Sequence, residues 1–411
     1  MNIFDNYLKK ILELIKKNQK KLDLKEINSF KNINLEIPPH NIKSDLSTNV
    51  CMVLAKSNKL DPKKLAIKIQ VLLKKNIIDF EKIEIAGPGF ININLSNKAL
   101  TTIINDIFKE DKYFGSLKTN YNYNIEFVSA NPTGPMHVGH SRGAIFGDVL
   151  SNLLKFNGNK VVKEYYINDY GNQIKNFVKS VYLRIREIKY NDLFTNEKDL
   201  YPGEYIKEIA KKILSKSKLV FNSLEENYEF LSKESLKYSM MMIKSDLQKL
   251  GISHDNFVSE KSLVESKTVI NAIKKLKKAN YVEEGYLEPP KGVEKNKWKK
   301  TKRLIFKSVL FGDDTNRALQ KNDGSWTYFA NDLAYHFNKV SRNYDKLINI
   351  LGADHTGYVK RIEGGVLALS ENKISLDCKV CQLVKLFKNG LPFKMSKRAG
   401  DFISVNDLLS E

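Results

Sequence analysis

The spacing of apolar residues gives the first part of the chain, residues 1–110, a mixture of helical and strand patterns. Apolar side chains near the N-terminus recur at helical intervals, and Asp61 before a proline predicts the capped start of a second helix. Two short apolar runs, 83–86 and 90–95, flank a Gly-Pro-Gly turn and predict a hairpin. We therefore expect residues 1–110 to form a small α+β domain.

The second part, residues 111–411, begins with the pattern of a βαβ unit. The run 125–128 predicts a buried strand, residues 141–156 predict a helix, and 160–167 predict a second strand. The apolar residues of that helix recur at helical spacing, so we expect them to face the core; they are Ile145, Val149, Leu150, Leu153 and Phe156. Gly143 and Gly147 on the same helix predict close approach of another backbone or of a ligand.

The pattern changes after the second strand. From about 168 to 300 the chain is mostly helical in spacing and rich in lysine and glutamate, which predicts an insertion between two halves of a sheet. Strand and helix patterns then return, with strands expected at 346–351 and 380–387. The second part is therefore predicted to be an α/β domain with a largely helical insertion.

The composition is that of a soluble protein with an excess of positive charge. The formal net charge of +21 favours a polyanionic partner such as nucleic acid, although abundant lysine on exposed faces explains part of it. The chain has no run of 18 apolar residues and no secretory signal, so we expect a cytoplasmic protein without a membrane segment. Cys378 and Cys381 form an isolated Cys-x-x-Cys, which we interpret as packing residues because a structural zinc site needs four ligands.

Polar residues follow two of the predicted strands. His137 and His140, in the pattern His-x-Gly-His, stand where the first strand gives way to a helix, and Gly352 begins a Gly-Ala-Asp-His stretch after the strand at 346–351. In open α/β sheets such strand ends form the ligand crevice, and a helix start favours phosphate. Together with the basic segment Lys394-Met-Ser-Lys, they predict a site for the triphosphate of ATP.

The chemistry that suits these residues is an attack by a carboxylate on the α-phosphate of ATP. Negative charge then accumulates on phosphorus and on the departing pyrophosphate, so the protein must position the reactants and supply positive charge. His137 and His140 would bond phosphate oxygens, Gly139 would leave room for the nucleoside, and Lys394 and Lys397 would neutralise the outer phosphates. No side chain is required as a nucleophile.

Two carboxylates stand in apolar surroundings, and each admits two interpretations. Glu126 lies within the first strand pattern, and Asp332 lies beside aromatic residues in TYFANDLAYH. A buried carboxylate needs a cation or several donors, so each is part of either an internal ion pair or a pocket for a cationic substrate. With the hydroxyl of Tyr328, the two could surround a flat guanidinium group.

At these residues the chain resembles the arginyl-tRNA synthetases, in the class I group of aminoacyl-tRNA synthetases. The resemblance covers nearly the whole chain and is carried by SDLSTNVCMVLAK, AGPGFININL, EFVSANPTGPMHVGHSRGAIFGD, YYINDYGNQ, LEPPKG, FGDDTNRALQKNDGSWTYFANDLAYH, GADHTGYVKR and KMSKRAGDFISV. His-x-Gly-His and Lys-Met-Ser-Lys indicate class I only, whereas ANPTGP and YYINDYGNQ point to arginine.

The resemblance implies a Rossmann-type (HUP-like) parallel-sheet catalytic domain with a connective insertion, preceded by a small α+β domain that contacts the elbow of tRNA. It implies that ATP with Mg²⁺ activates L-arginine, that the arginyl group passes to the 3′ end of tRNA-Arg, and that no metal is bound by the protein itself. The arginine-binding residues it implies are Glu126, Ser129, Asn131, His137, Tyr328, Asp332 and Tyr358. The ATP-binding residues it implies are His137, Gly139, His140, Gly352, Asp354, His355, Lys394, Met395, Ser396 and Lys397, of which His137, His140, Lys394 and Lys397 are the catalytic candidates.

One departure from the family concerns the region after Lys-Met-Ser-Lys, where members continue into a helical anticodon-binding domain. This sequence ends at Glu411, so we expect that domain to be absent, and we expect a monomer that binds tRNA weakly and charges it poorly. Two alternatives stay open: a tRNA-independent adenylating enzyme of the same superfamily, and a non-catalytic tRNA-binding remnant. Pyrophosphate exchange that needs arginine but not tRNA would favour the first, and indifference to loss of His140 and Lys397 would favour the second.

Overall fold

The computed structural model describes residues 3–25, 30–287, 301–384, 386–388, 391–393 and 403–410. The chain forms two compact units, one of Met1–Thr119 with Phe156–Gly158, the other of Asn120–Lys155 with Asn159–Glu411. The first unit thus extends the predicted domain of 1–110 by nine residues at its C-terminal end and adds the three residues Phe156–Gly158. Among the described residues, none of the helices combines the length and the apolar character that a membrane crossing requires.

The first unit packs helices on an antiparallel sheet, as the apolar pattern predicts. Its elements are α1 (Ile3–Lys17), β1 (Leu35–Glu36), β2 (Leu46–Thr48), α2 (Val50–Asn58), α3 (Pro62–Asn76), β3 (Phe80–Ala86), β4 (Phe90–Leu95) and α4 (Asn97–Glu110). The strands lie in the order β1-β2-β4-β3 with every neighbouring pair antiparallel. The Asp61 carboxylate accepts a hydrogen bond from the Lys64 amide at 2.8 Å, which confirms the predicted cap of α3.

The second unit is built on a five-stranded parallel sheet. Its strands are β5 (Asn122–Glu126), β6 (Lys160–Ile167), β7 (Asn256–Ser259), β11 (Lys346–Gly352) and β12 (Ser375–Cys381). They lie in the order β12-β11-β5-β6-β7, and all four neighbouring pairs are parallel. Numbered by their order in the chain, the strands lie 3-2-1-4-5, the order of a doubly wound sheet whose direction reverses between β5 and β11, so the predicted Rossmann-type fold is confirmed.

Helices and short strands complete the second unit. They are α5 (Ser141–Phe156), α6 (Asn172–Tyr190), α7 (Glu204–Lys216), α8 (Leu224–Lys249), α9 (Glu260–Glu265), α10 (Thr268–Lys278), β8 (Val282–Gly285), β9 (Arg303–Phe306), β10 (Arg317–Ala318), α11 (Tyr328–Val340), α12 (Val359–Leu369), β13 (Leu386–Lys388), β14 (Leu391–Phe393) and α13 (Val405–Ser410). Strands β8, β9 and β10 form a separate antiparallel sheet, and β13 pairs with β14.

The predicted insertion over about 168–300 does not lie wholly outside the central sheet. Strand β7 falls within it and pairs with β6 in parallel, from Glu164 opposite Asn256 to Ile167 opposite Ser259. Of the predicted insertion, α6, α7 and α8 therefore connect two neighbouring strands, β6 and β7, and the remainder follows β7. A four-residue strand flanked by long helical patterns leaves too short a period-2 signal to be recognised.

Three further predictions differ from the structure in detail. The strand expected at 125–128 is β5, which ends at Glu126, and the strand expected at 380–387 is replaced by β12 and β13. Helix α5 has the predicted bounds, but its apolar positions are largely exposed; the residues that it buries are Ser141, Ala144, Gly147 and Ser151. Small side chains let this helix lie close to the sheet, so they, rather than the larger apolar residues, form its packed face.

The two cysteines of the Cys-x-x-Cys pack in the core, as predicted. Cys378 contacts the apolar cluster that includes Leu333 and Val366, whereas Cys381 contacts the cluster that includes Ile125 and Phe127. Both thiols are free. Within the described ranges, no group of three histidine, cysteine, aspartate or glutamate side chains is placed to hold a metal ion.

Candidate active site at the switch point of the sheet

The carboxyl ends of β5 and β11 meet at one edge of the central sheet. These two strands are neighbours in the sheet. The chain continues from β5 to β6 on one side of this pair and from β11 to β12 on the opposite side, so the strand order reverses between them. The crevice at such a reversal of strand order is where open α/β sheets bind ligands. The residues after β5 and those after β11, both singled out in the sequence, are therefore brought to the same place.

The backbone turns sharply where β5 ends. Val128 and Ser129 have φ values of 70° and 40°, a region that side chains with a Cβ rarely adopt, least of all a β-branched one. The Ser129 hydroxyl stabilises the turn by accepting from the Tyr166 amide at 3.0 Å and donating to Oε1 of Glu126 at 3.1 Å. Ser129 is thus fixed beside Glu126, whereas Asn131 is exposed and has only a 3.4 Å contact with Asn168.

The two histidines of the His-x-Gly-His pattern stack on each other at the start of α5. Their ring centroids are 3.8 Å apart, with 29° between the ring planes. Nδ1 of His137 accepts from the Gly139 amide at 3.2 Å, and Nδ1 of His140 accepts from the His137 amide at 3.3 Å. Since an amide N–H can only donate, both Nδ1 atoms are unprotonated, and the proton of each neutral ring is assigned to Nε2.

Gly147 allows α5 to lie directly on the strand end. A Cβ at this position would be 2.6 Å and 2.7 Å from Cδ2 and Cβ of Phe127, and closer still to Cγ. The predicted close approach is therefore made by a side chain of the β5 turn. At Gly143 the nearest atom, Cγ2 of Ile350, is 3.9 Å from a built Cβ, which is an ordinary contact.

The loop between β5 and α5 is held by the long helices that follow β6. Ser239 and Asp246 of α8 bind it: the Gly134 amide donates to the Ser239 hydroxyl at 2.9 Å, and the Met136 amide donates to Oδ2 of Asp246 at 2.8 Å. The Tyr205 ring of α7 lies so close to Gly134 that a Cβ there would be 2.7 Å from Cζ. Sequence reasoning missed Ser239 and Asp246, since neither belongs to a motif.

The chain just after the basic Lys-Met-Ser-Lys segment also contacts this loop. The Val138 amide donates to the Ile403 carbonyl at 3.0 Å, and the Val405 amide donates to the Met136 carbonyl at 3.0 Å, so residues 403–405 pair with the His-x-Gly-His segment. The predicted ATP-binding residues of the basic segment, Lys394, Met395, Ser396 and Lys397, lie outside the described residues. The Pro-Pro-Lys-Gly part of the LEPPKG motif lies outside them as well.

Glu126 forms an internal ion pair, which is one of the two interpretations that the sequence allows for this residue. Its Oε2 is 2.6 Å from Nζ of Lys339, a residue of α11 whose side chain is fully buried. The same ammonium donates to Oδ1 of Asn349 at 2.8 Å, and the Asn349 amide lies 3.0 Å from Nε2 of His336. Burial and the charge of Lys339 lower the pKa of His336 to about 3, so this ring is neutral at physiological pH.

A second ion pair joins Arg342, which is 25% exposed, to the fully buried Glu164. Arg342 binds both carboxylate oxygens of Glu164, one of them at 2.9 Å, and the Tyr335 hydroxyl donates to the same carboxylate at 2.9 Å. Burial alone would raise the pKa of Glu164, but the hydrogen bonds and charge of Arg342, with the charge of Lys339, lower it to about 2. The two pairs fix α11 against β5 and β6, and sequence reasoning missed Lys339, Glu164 and Arg342.

Asp332 faces the site from α11 and is bound by Tyr358 rather than Tyr328. The Tyr358 hydroxyl donates to Oδ2 of Asp332. Burial raises the pKa of Asp332 to about 6, an effect that the Tyr358 hydrogen bond opposes and the charge of Glu126 reinforces. Tyr328 is 83% exposed at the start of α11, so the structure does not place its hydroxyl between the two carboxylates.

The residues after β11 present polar groups at the open edge of the sheet. Asp354 and His355 are exposed, with 3.5 Å between Oδ2 of the first and Nε2 of the second. A Cβ on Gly352 would meet the Asp354 carboxylate, so glycine permits this side chain to fold back over the strand end. The candidates Gly352, Asp354 and His355 are thus together and accessible to a ligand.

Comparison with known proteins agrees with this geometry. The family model for the class I (R) tRNA synthetase catalytic domain matches residues 102–411, and the model for the arginyl-tRNA synthetase N-terminal domain matches residues 8–95. The chain is 52% identical to an arginine–tRNA ligase of Pelagibacter ubique and 44% identical to one of a Wolbachia from Brugia malayi. Each alignment covers 100% of this chain and 72% of the relative.

A solved structure from Thermus thermophilus, an arginyl-tRNA synthetase, has the same fold. It superposes with a TM-score of 0.67 over 99% of this chain and 69% of its own length, at 16% sequence identity. The parallel sheet, the crevice at its switch point and the paired histidines define a class I aminoacyl-tRNA synthetase. Within that class, the chain belongs to the arginyl-tRNA synthetase family, and its activity is that of an arginine–tRNA ligase. The two alternatives, a tRNA-independent adenylating enzyme and a non-catalytic tRNA-binding remnant, are not favoured.

Proposed function

We propose that the crevice binds ATP with Mg²⁺ and L-arginine side by side and then delivers the arginyl group to the 3′ end of tRNA-Arg. The observation that carries this proposal is the turn after β5, where the stacked pair His137 and His140 lies only a few residues from the arginine-pocket candidates Glu126 and Ser129. A single rigid segment therefore reaches both reactants. We further propose that the chain acts as a cytoplasmic monomer, which size-exclusion chromatography with light scattering would test.

In the first step an arginine carboxylate oxygen attacks the α-phosphorus of ATP. A bond forms between the carboxylate oxygen and the α-phosphorus as the bond from the α-phosphorus to the bridging oxygen breaks, and pyrophosphate leaves. Mg²⁺ would accompany the phosphates of ATP and offset their negative charge. The Nε2–H groups of His137 and His140 are the donors that we assign to the phosphates. Gly139 between them, and Gly352, Asp354 and His355 after β11, are assigned to the nucleoside and phosphate side of the crevice.

The basic segment is assigned to the outer phosphates. Its lysines, Lys394 and Lys397, precede Ile403 in sequence by nine and six residues, and Ile403 is hydrogen bonded to Val138 within the His-x-Gly-His loop. This connection supports joint action of the lysines and the histidines on ATP. Lysine ammonium groups would neutralise the charge that develops on pyrophosphate.

The arginine side of the crevice is assigned to Asp332, Tyr358, Ser129 and Asn131. Because Lys339 already neutralises Glu126, we assign the guanidinium to Asp332, with Glu126 acting through its hydrogen bond to Ser129. Tyr328 is exposed at the N-terminus of α11, and we assign it to the rim of the crevice. These assignments differ from the sequence-based expectation for Glu126 and Tyr328, both of which were expected to surround the guanidinium group.

In the second step a ribose hydroxyl at the 3′ end of tRNA attacks the arginyl carbonyl. The hydroxyl oxygen forms an ester bond with the carbonyl carbon, the bond from that carbon to the phosphate oxygen breaks, and AMP leaves with the hydroxyl proton. We assign the first unit to the binding of the body of the tRNA. Lysines line one surface of this unit, at the end of α1 and in the segment that follows it; they are Lys16, Lys17, Lys20, Lys21 and Lys25. In the described residues none of these five forms an ion pair, so their charge is available to phosphates.

Aminoacylation of tRNA-Arg with labelled arginine, and pyrophosphate exchange with and without tRNA-Arg, test the proposal. His140→Ala should lower kcat by roughly 10²–10³-fold, since it removes one donor to the developing charge. The matched control is His40→Ala, which changes an exposed histidine of a turn in the first unit and should leave both activities unchanged. Equal activity of His140→Ala and the control would refute the ATP assignment, and exchange that is indifferent to tRNA would favour the tRNA-independent enzyme.

A further inference from the structure

Two polar side chains of α8, Ser239 and Asp246, hold the loop between β5 and α5; we refer to this pair as the α8 clamp. The two residues stand seven positions apart, so they lie on the same face of the helix, about two turns from each other. Ser239 is fully buried and Asp246 is 5% exposed. Burial of such groups is costly unless hydrogen bonds satisfy them, so the contacts of the clamp define what it does.

The α8 clamp binds the backbone of the loop. The Gly134 amide donates to the Ser239 hydroxyl at 2.9 Å, and the Met136 amide donates to Oδ2 of Asp246 at 2.8 Å. Met136 is fully buried, so its amide could not bond to water instead. The clamp therefore fixes the backbone up to the residue that immediately precedes His137.

The peptide group between Met136 and His137 transmits this constraint to the two histidines. Its carbonyl accepts from the Val405 amide at 3.0 Å, and its N–H donates to Nδ1 of His140 at 3.3 Å. The peptide group is planar, so a displacement of Met136 would disturb both hydrogen bonds together. The stacked rings of His137 and His140, with centroids 3.8 Å apart, therefore depend on where Met136 is held.

Helix α8 is itself anchored by contacts outside the loop. Leu231 and Tyr238 belong to the apolar cluster that α6 and α7 form with it, whereas Ile243 and Leu247 belong to the cluster of the central sheet. A helix packed into two cores shifts little, because close-packed interiors resist displacement. The α8 clamp is therefore a rigid support for the loop.

The arginine side of the crevice is fixed by different contacts. Ser129 is held by the Tyr166 amide of β6, and Glu126 is held by Lys339 of α11. Neither of these two contacts involves α8. Loss of the α8 clamp should therefore disturb the ATP side of the crevice and leave arginine binding in place.

We propose that Ser239 and Asp246 are positioning residues of the adenylation step, which hold Met136 so that the imidazoles of His137 and His140 meet the phosphates of ATP. The inference rests on the proposed function, because it takes those phosphates as the ligand of the histidines. No covalent bond is made or broken at either clamp residue. Misplacement of a catalytic group by about 1 Å can cost on the order of 10²-fold in rate, so the loss of a buried support should be measurable.

Two variants of Asp246 separate its acceptor oxygen from the bulk of its side chain. Asp246→Leu has a similar size but cannot accept from the Met136 amide, whereas Asp246→Asn retains a carbonyl oxygen there. In pyrophosphate exchange with tRNA-Arg present, kcat per folded molecule should fall on the order of 10–100-fold in Asp246→Leu, while the KM for arginine changes by less than about twofold. Asp246→Asn should recover most of kcat, and equal losses in the two variants would overturn the role of the acceptor.

Combination with His137→Ala tests whether the α8 clamp acts through the histidines. In that background the loss caused by Asp246→Leu should shrink by roughly threefold or more, since one of the groups that it positions is gone. A purely structural role predicts the full loss again, and that result would overturn the proposal. Ser239→Ala is a milder change that should lower kcat roughly 3–10-fold with the same dependence on His137, so the test does not require Asp246→Leu to fold.

The matched control is Asn227→Ala, which removes another buried polar side chain of the same helix. Its amide donates to the Ser223 carbonyl at 2.9 Å, so its loss should lower stability without lowering kcat per folded molecule. An equal fall of kcat in Asn227→Ala and Asp246→Leu would assign the effect to α8 in general and overturn the proposal. Unchanged kcat in Asp246→Leu, with low kcat in His140→Ala, overturns the clamp alone, whereas unchanged kcat in both overturns the proposed ATP site itself.

Discussion

Replacement of Lys339 by methionine should destabilise the catalytic unit far more than loss of an ordinary lysine. The side chain of Lys339 is 0% exposed, and its ammonium is 2.6 Å from Glu126 and 2.8 Å from Asn349. Methionine fills similar volume but leaves the Glu126 carboxylate buried with its counter-ion removed. The Ser129 hydroxyl at 3.1 Å remains as a donor, and one neutral donor does not replace a charge.

The magnitude follows from the burial of both partners. Breaking a buried pair by removing one member costs roughly 3–5 kcal/mol, because the remaining charge is uncompensated. For a unit of this size, about 2–4 °C of melting temperature accompanies each kcal/mol, so a loss of roughly 6–20 °C is expected. Urea unfolding followed by circular dichroism measures the change in free energy of unfolding.

Two comparison variants make the measurement specific. Lys379→Met removes an exposed lysine that is 2.7 Å from Asp377, and it should cost less than about 1 kcal/mol because solvent screens that pair. The double variant Glu126→Gln with Lys339→Met leaves no unpaired charge and should recover part of the lost stability. If Lys339→Met behaved like Lys379→Met, or if the double variant were less stable than Lys339→Met alone, the ion-pair reasoning would be refuted.

The remaining predictions concern packing and pH. Gly147→Ala should lower the free energy of unfolding by roughly 1–3 kcal/mol despite the better helix propensity of alanine, because the added Cβ meets Phe127. The control Gly143→Ala should be neutral or stabilising, since its Cβ has room. Equal urea midpoints for the two variants would contradict this reasoning. Since the pKa of Asp332 is raised to about 6 and the ionised form binds the cation, kcat/KM for arginine should fall as pH drops through 6. Asp332→Asn should show a low kcat/KM without that inflection, and an inflection that persists in it would assign the titration to another group.

Local patterns explain why much of the fold could be predicted. The cap at Asp61, the hairpin of β3 and β4, and the bounds of α5 and β6 depend on residues within one or two turns of each other. The position of the candidate site at a strand-to-helix junction was likewise predictable, because His137 and His140 follow directly from a strand pattern. These features need no knowledge of distant neighbours.

Packing faces were harder to predict, because apolar character alone does not say which neighbour a residue meets. On α5 the large side chains Ile145, Val149 and Leu153 are about half exposed, while Gly147 packs against Phe127. A small residue gains its role only when another chain segment comes close. Strand β7 has only four residues, a pattern too short to predict a strand, and its pairing with β6 is what defines it.

The class of enzyme, the βαβ unit of β5, α5 and β6, and the segments to which we assign the chemistry could all be predicted from the amino-acid sequence. How the buried charges are shared depends on the tertiary structure. Glu126 and Lys339 are 213 positions apart in the chain, and Glu164 and Arg342 are 178 apart, so no local pattern could pair them. A buried charge is compensated by a group that is close in space, whatever its position in the chain. The stretch after β5 could therefore be identified from its own residues, whereas the cation that neutralises Glu126 could not.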